Sequence, residues 1–106
     1  MVESDSFSIE QQIQRYLPLI IEFTGGKIDA PTFKTRYLRL VKSGDRVLRQ
    51  DIGDAVYKLF GDADYYEPRV YLRDSETLDD NQILQFAIVA RDKLLTILRD
   101  SKSSDS

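Results

Sequence analysis

The chain has 106 residues, 42% of them apolar and 31% charged, and contains neither cysteine nor histidine. That length suits one domain with a modest core and not two. The missing residue types exclude thiolate zinc sites, cysteine nucleophiles and histidine-based triads. Only carboxylates, lysines, tyrosines and hydroxyls remain for catalysis, so a binding protein is expected rather than an enzyme, with no cofactor and no metal. No stretch approaches the roughly 18 consecutive apolar residues of a membrane span. The first eight residues, MVESDSFS, are acidic and poor in apolar side chains, unlike a secretory signal. Without such a signal and without cysteine, a cytoplasmic protein that needs no disulfides is the simplest reading.

The net charge is −3, but its distribution says more than the sum. Between Lys27 and Arg49 seven bases (Lys27, Lys34, Arg36, Arg39, Lys42, Arg46, Arg49) face two acids, a local charge of +5. Between Leu59 and Asp80 seven acids (Asp62, Asp64, Glu67, Asp74, Glu76, Asp79, Asp80) face Arg69 and Arg73, a local charge of −5. The molecule is therefore bipolar along its chain. An acidic surface repels nucleic acid and attracts basic proteins.

In chain order, residues 1–6 read as a frayed start, and Ser8 with Gln11 three residues on forms a capping-box pattern. Ile9, Ile13, Tyr16, Leu17, Ile20 and Phe23 then keep helical spacing. Pro18 falls inside that helix, predicting a kink near Gln14 or a helix in two pieces. Gly25-Gly26 closes it. The second helix starts at Asp29, with Pro31 in its first turn and Ile28 and Phe33 placed as a hydrophobic staple. Its stripe is Phe33, Tyr37, Leu40 and Val41, and Ser43-Gly44-Asp45 ends it. A third helix is expected from about Arg46 to Phe60, with Leu48, Ile52, Val56, Leu59 and Phe60 inward, Gly53 close-packed, and Gly61 as its C-terminal glycine. The fourth helix carries the strongest start signal: Asp79 as cap, Gln82 completing the box, Leu78 and Ile83 as staple. Ile83, Phe86, Ala87, Ala90, Leu94 and Ile97 form one stripe, with Leu84, Ile88 and Leu95 beside it. Arg99–Ser106 reads as a polar tail. The expected architecture is all-α, an antiparallel four-helix bundle with a long acidic loop between helices 3 and 4. One domain is expected over residues 7–99, with flexible ends at 1–6 and 100–106.

The acidic connector is the candidate site. Its aromatics argue against disorder, and long ordered connectors tend to be functional. A calcium-loop reading of Asp62 and Asp64 fails, because Tyr66 and Glu67 stand where a ligand and the turn glycine belong, and Arg73 stands at the last bidentate position. Paired-carboxylate catalysis has no accompanying apparatus. Tyr65, Tyr66 and Tyr71 each have a packing role open to them as well as a binding one, and at least one of the three is expected to be structural. Asp79 and Asp80 are accounted for by the start of helix 4, which leaves Asp62, Asp64, Glu67, Asp74 and Glu76 as candidate contact acids. The basic face of helix 2 reads as a solvated face, or as partial neutralisation of the acidic loop across the bundle.

LFGDADYYEP at 59–68, followed by LRDSETLDDNQIL at 72–84, resembles the colicin D-type immunity proteins of the bacterial self-protective colicin-like immunity family. The shared pattern is Leu-Phe, two residues, Ala-acid-x-aromatic-Glu-Pro, then an acidic run reaching the start of an apolar helix. LIIEFTGGKIDAPTFKTRYLRL at 19–40 is similar to that family's first helix, turn and second helix. The resemblance implies a small four-helix protein that blocks a cytotoxic nuclease cleaving tRNA, its acidic side chains standing in for substrate phosphates. The matching positions here are Asp64, between alanine and the aromatic, and Glu67, before the proline. After the proline the chain departs from the pattern, with Arg69 and Val70 in place of acid. The expected toxin-binding set is thus Asp62, Asp64, Tyr65, Tyr66, Glu67, Asp74 and Glu76, with Tyr65 and Tyr66 as rigid anchors. The protein is expected to be monomeric with its toxin, with a homodimer open to it when free. A different reading is a helical adaptor that dimerises through Leu84, Ile88 and Leu95 without a toxin partner.

Overall fold

Asp29 shows how the local signals become structure. In the computed structural model, which describes residues 2–44 and 48–103 and side chains within 9–101, its carboxylate accepts the Thr32 N–H at 3.0 Å. The helix behind it, α2 (Ala30–Lys42), has its proline in the first turn. It is preceded by α1 (Val2–Thr24) and followed by α3 (Gln50–Tyr65) and α4 (Asp80–Ser103). Between α3 and α4 lie a single 3-10 turn at Val70–Leu72 and one isolated parallel bridge, Tyr66 to Leu78. The four helices pack as an all-α bundle. α1 and α3 each lie against both α2 and α4, and the diagonal contacts are slighter.

The core is the sum of the four stripes. Ile13, Tyr16, Leu17, Ile20 and Phe23 come from α1, and Phe33, Tyr37 and Val41 from α2. Ile52, Val56, Leu59 and Ala63 come from α3, and Ile83, Ala87, Ala90 and Leu94 from α4. An aromatic stack ties the first two helices together, with Phe23 on Phe33 at 4.4 Å and Phe33 on Tyr37 at 5.1 Å between centroids. The buried Tyr37 hydroxyl donates to the Val56 carbonyl at 2.9 Å, and burial pushes its phenol well above the usual tyrosine range. Leu84 is half-buried on this core, and Ile88 is half-buried too, so only Leu95 of the second α4 stripe is exposed.

Several boundaries differ from the sequence reading. α1 begins at Val2, which puts Ser8 inside the helix and not at its cap. The helix is continuous through Pro18, in one piece. At its end Gly26 takes φ +81°, the Lys27 N–H reaches the Glu22 carbonyl at 2.9 Å and the Gly26 N–H the Phe23 carbonyl at 3.1 Å. That is a Schellman closure, and the positive φ is what requires glycine there. α4 continues through Arg99 to Ser103, where a polar tail was expected. The expected beginning of helix 3 at Arg46, and Asp45 at the end of helix 2, lie outside the described residues; α3 is described from Gln50.

The largest difference is at the other end of α3. Gly61 was expected to stop the helix after Phe60, but α3 runs on to Tyr65. Gly61 does not take a positive φ, and a Cβ there would meet open space. What carries the helix past it is the stripe: Ile52, Val56, Leu59, Ala63 and Tyr66 are all buried, so two further apolar positions reward continuation. Gly53 is buried, with the nearest atoms those of Tyr57 and Leu48, its own sequence neighbours and not another helix.

Candidate protein-binding surface

The extension of α3 decides where the acids stand. Asp62 and Asp64 are on its last turn, in a position where helix carbonyls are unpaired and negative charge is disfavoured. Two lysines relieve this. Lys34, from α2, donates to the Tyr66 carbonyl at 2.6 Å and to the Asp64 carbonyl at 3.4 Å, capping α3 from outside. Lys58 pairs with Asp62 at 3.0 Å, one helical turn away. The basic face of α2 thus contributes one side chain to the acidic end of the molecule.

Beyond α3 the chain is tied at both ends of a loop. The Leu78 N–H donates to the Tyr65 carbonyl at 3.0 Å, and the Glu67 N–H to the Leu78 carbonyl at 3.2 Å. Arg73 reaches across the gap: its Nε donates to the Glu67 carbonyl and its Nη2 to Asp80, each at 2.8 Å. The Tyr66 hydroxyl donates to the same Asp80 oxygen, and the Arg73 guanidinium lies 5.9 Å from the Tyr66 ring centre. Burial and the Asp80 bond push the Tyr66 phenol well above its usual range. At the far turn, Asp74 accepts the Glu76 and Thr77 N–H groups at 2.8 and 3.1 Å, while its own N–H donates to the Thr77 hydroxyl at 2.9 Å. Asp79 and Gln82 complete a reciprocal box at 2.8 and 2.9 Å, as the sequence pattern predicted.

The seven predicted contact residues therefore divide. Tyr66 was expected as a surface anchor; it is 1% exposed and belongs to the core, supporting the loop from beneath. The reason is the helical register, which sets it three residues after buried Ala63. Tyr65 is 61% exposed at the end of α3. Glu67 is clamped by Arg69, whose Nε and Nη2 meet its two oxygens at 3.0 and 3.3 Å. These bonds hold the Glu67 carboxyl below its usual range and raise Arg69 above its own. Asp62 is paired with Lys58. Asp64, Asp74 and Glu76 are exposed, and among the described residues none of them is ion-paired.

Sequence reasoning missed the roles of Lys34 and Arg73, which hold this region together. Nor did it single out Val70–Leu72, a 3-10 turn whose three side chains are all exposed. Three successive apolar residues inside an acidic run were the signal available for it. Among the described residues, no cluster of carboxylates is placed to hold a metal ion, and no helix is long and apolar enough to cross a membrane.

The geometry is that of a small helical bundle with exposed acids and outward aromatics on a pinned loop. Its family follows from the chain itself. The family model described as bacterial self-protective colicin-like immunity matches residues 11–94, and the chain belongs to that family. It is thus an immunity protein, whose partner is a cognate toxin. No curated protein and no solved structure matches the chain.

Proposed function

We propose that the protein inhibits a nuclease toxin of the tRNA-cleaving type by laying its acidic edge into the toxin's basic active-site cleft, in the cytoplasm of the cell it protects. Asp62, Asp64, Tyr65, Glu67, Asp74 and Glu76 form the contact surface, with Tyr66 holding it in place. The observation that carries this reading is the separation of ion-paired from unpaired carboxylates. Among the described residues Asp62 and Glu67 are ion-paired, whereas the carboxylates of Asp64, Asp74 and Glu76 are not and stand on backbone that is already fixed. Carboxylates so held can accept charge-assisted hydrogen bonds from arginine and lysine without first being ordered.

The test is co-expression with the nuclease domain encoded beside this gene, and capture over a salt series. Salt-sensitive capture that abolishes RNA cleavage is the expected result; no capture at low salt by a folded bait would remove the proposal. Within a captured complex, Asp64→Lys is expected to cost about 2–5 kcal/mol of affinity while leaving the helical signal unchanged. Equal affinity of this variant and the wild type would take Asp64 out of the contact surface.

A further inference from the structure

The 3-10 turn at Val70–Leu72 exposes most of its apolar content to solvent. Val70 is 71% exposed, Tyr71 80% and Leu72 45%. A run of exposed apolar residues has no folding role, and such patches mark interaction sites. The run is also ordered. Its backbone closes through Leu72 N–H to the Arg69 carbonyl at 3.0 Å and Arg73 N–H to the Val70 carbonyl at 3.1 Å. The Arg73 guanidinium anchors its far end to Glu67 and Asp80.

We infer that Val70, Tyr71 and Leu72 form an apolar plug that packs on the toxin beside its basic cleft and sets how long the toxin is held. The inference rests on the immunity reading above and adds a second kind of contact to it. Charge decides the occupant. Asp64, Asp74 and Glu76 lie on the same loop and the helix end that leads into it, while the two arginines flanking the plug are taken up by Glu67 and Asp80. A symmetric contact with a second copy through this turn would bring one acidic rim against another. A cationic nuclease surface meets the same rim with attraction and leaves the plug to fill apolar space. Acids speed and orient the encounter, whereas a rigid aromatic buried at the centre of an interface controls how long it lasts.

The experiment uses the full chain and the neighbouring nuclease domain in surface-plasmon kinetics at two salt concentrations, with Tyr71→Ala, Val70→Ser and Asp64→Lys. Tyr71→Ala is expected to raise the dissociation rate about 30-fold or more, the scale of a hot-spot residue, with an unchanged salt slope. Asp64→Lys is expected to lower the association rate and flatten the salt slope. Val70 and Tyr71 are mostly exposed, so both plug variants should melt with the wild type. Wild-type kinetics for Tyr71→Ala and Val70→Ser would overturn the plug while leaving the immunity reading intact. A wild-type dimer that Tyr71→Ala converts to monomer, with toxin kinetics unchanged, would reassign the turn to self-association. Failure of the wild type to bind would remove the nuclease-inhibitor reading and the plug together.

Discussion

Arg73 performs three tasks with one planar group. It satisfies a loop carbonyl, pairs with the first acid of α4 and lies near the Tyr66 ring. A lysine has neither the fork nor the plane to do all three. Asp29 is simpler and gives a prediction at the same scale. Hydrogen bonds from the Thr32 hydroxyl and N–H favour its ionised form and hold its carboxyl below the ordinary 3.8. A carboxyl depressed by folding contributes stability that is fully present above its ordinary value and is lost as pH falls through the depressed one. Thermal melts of the wild type should therefore fall in acid below about pH 4, with Glu67 acting in the same direction through Arg69. Asp29→Asn keeps the cap but not the titration. Its melting temperature should match the wild type near neutrality and fall less steeply in acid; identical slopes would show that Asp29 contributes nothing.

At the scale of the element, α3 is where local signals and tertiary packing disagree. A glycine followed by acids argues for a helix end, and the packed stripe through Ala63 to Tyr66 overrides it. Gly61 then sits in a helix interior with a helical backbone and open space at its Cβ. Gly61→Ala should raise stability by about 0.5–1 kcal/mol in urea denaturation, because it lowers the entropy of the unfolded chain. A C-terminal cap at that position would predict the opposite sign. Lys34→Met tests the external cap on the same helix. It removes the cation that meets the last α3 carbonyls and should cost about 1–2 kcal/mol. Hydrogen exchange should rise first at Tyr65 and Tyr66, and a uniform rise along the chain would argue against a local role.

For the whole molecule, the charge segregation seen along the chain survives folding in part. One base of α2 turns to the acidic end, and the acids without an ion pair among the described residues, Asp64, Asp74 and Glu76, lie on the last turn of α3 and on the connector to α4. Attraction at a distance should then govern the encounter with a cationic toxin. Raising salt from about 0.01 M to 0.15 M, where screening shortens from roughly 30 Å to 8 Å, should slow association by tenfold or more. The same change should leave the melting temperature of the free protein nearly constant, since its ion pairs are largely exposed. A salt-independent association rate would show that apolar contact alone drives recognition.

The sequence by itself determined four helices, most of their buried faces, the caps at Asp29 and Asp79 and the acidic character of the connector. Those features depend on spacing and on side chains within a few residues of one another. Tertiary structure alone decided that α3 passes Gly61, that Tyr66 lies inside while Tyr65 and Tyr71 lie outside, and that the Glu67 carboxylate is ion-paired while, among the described residues, that of Asp64 is not. Each of these depends on a partner far along the chain or on the register of a packed stripe. Lys34 stands 32 residues from the Tyr66 carbonyl it holds, and no local pattern records that meeting.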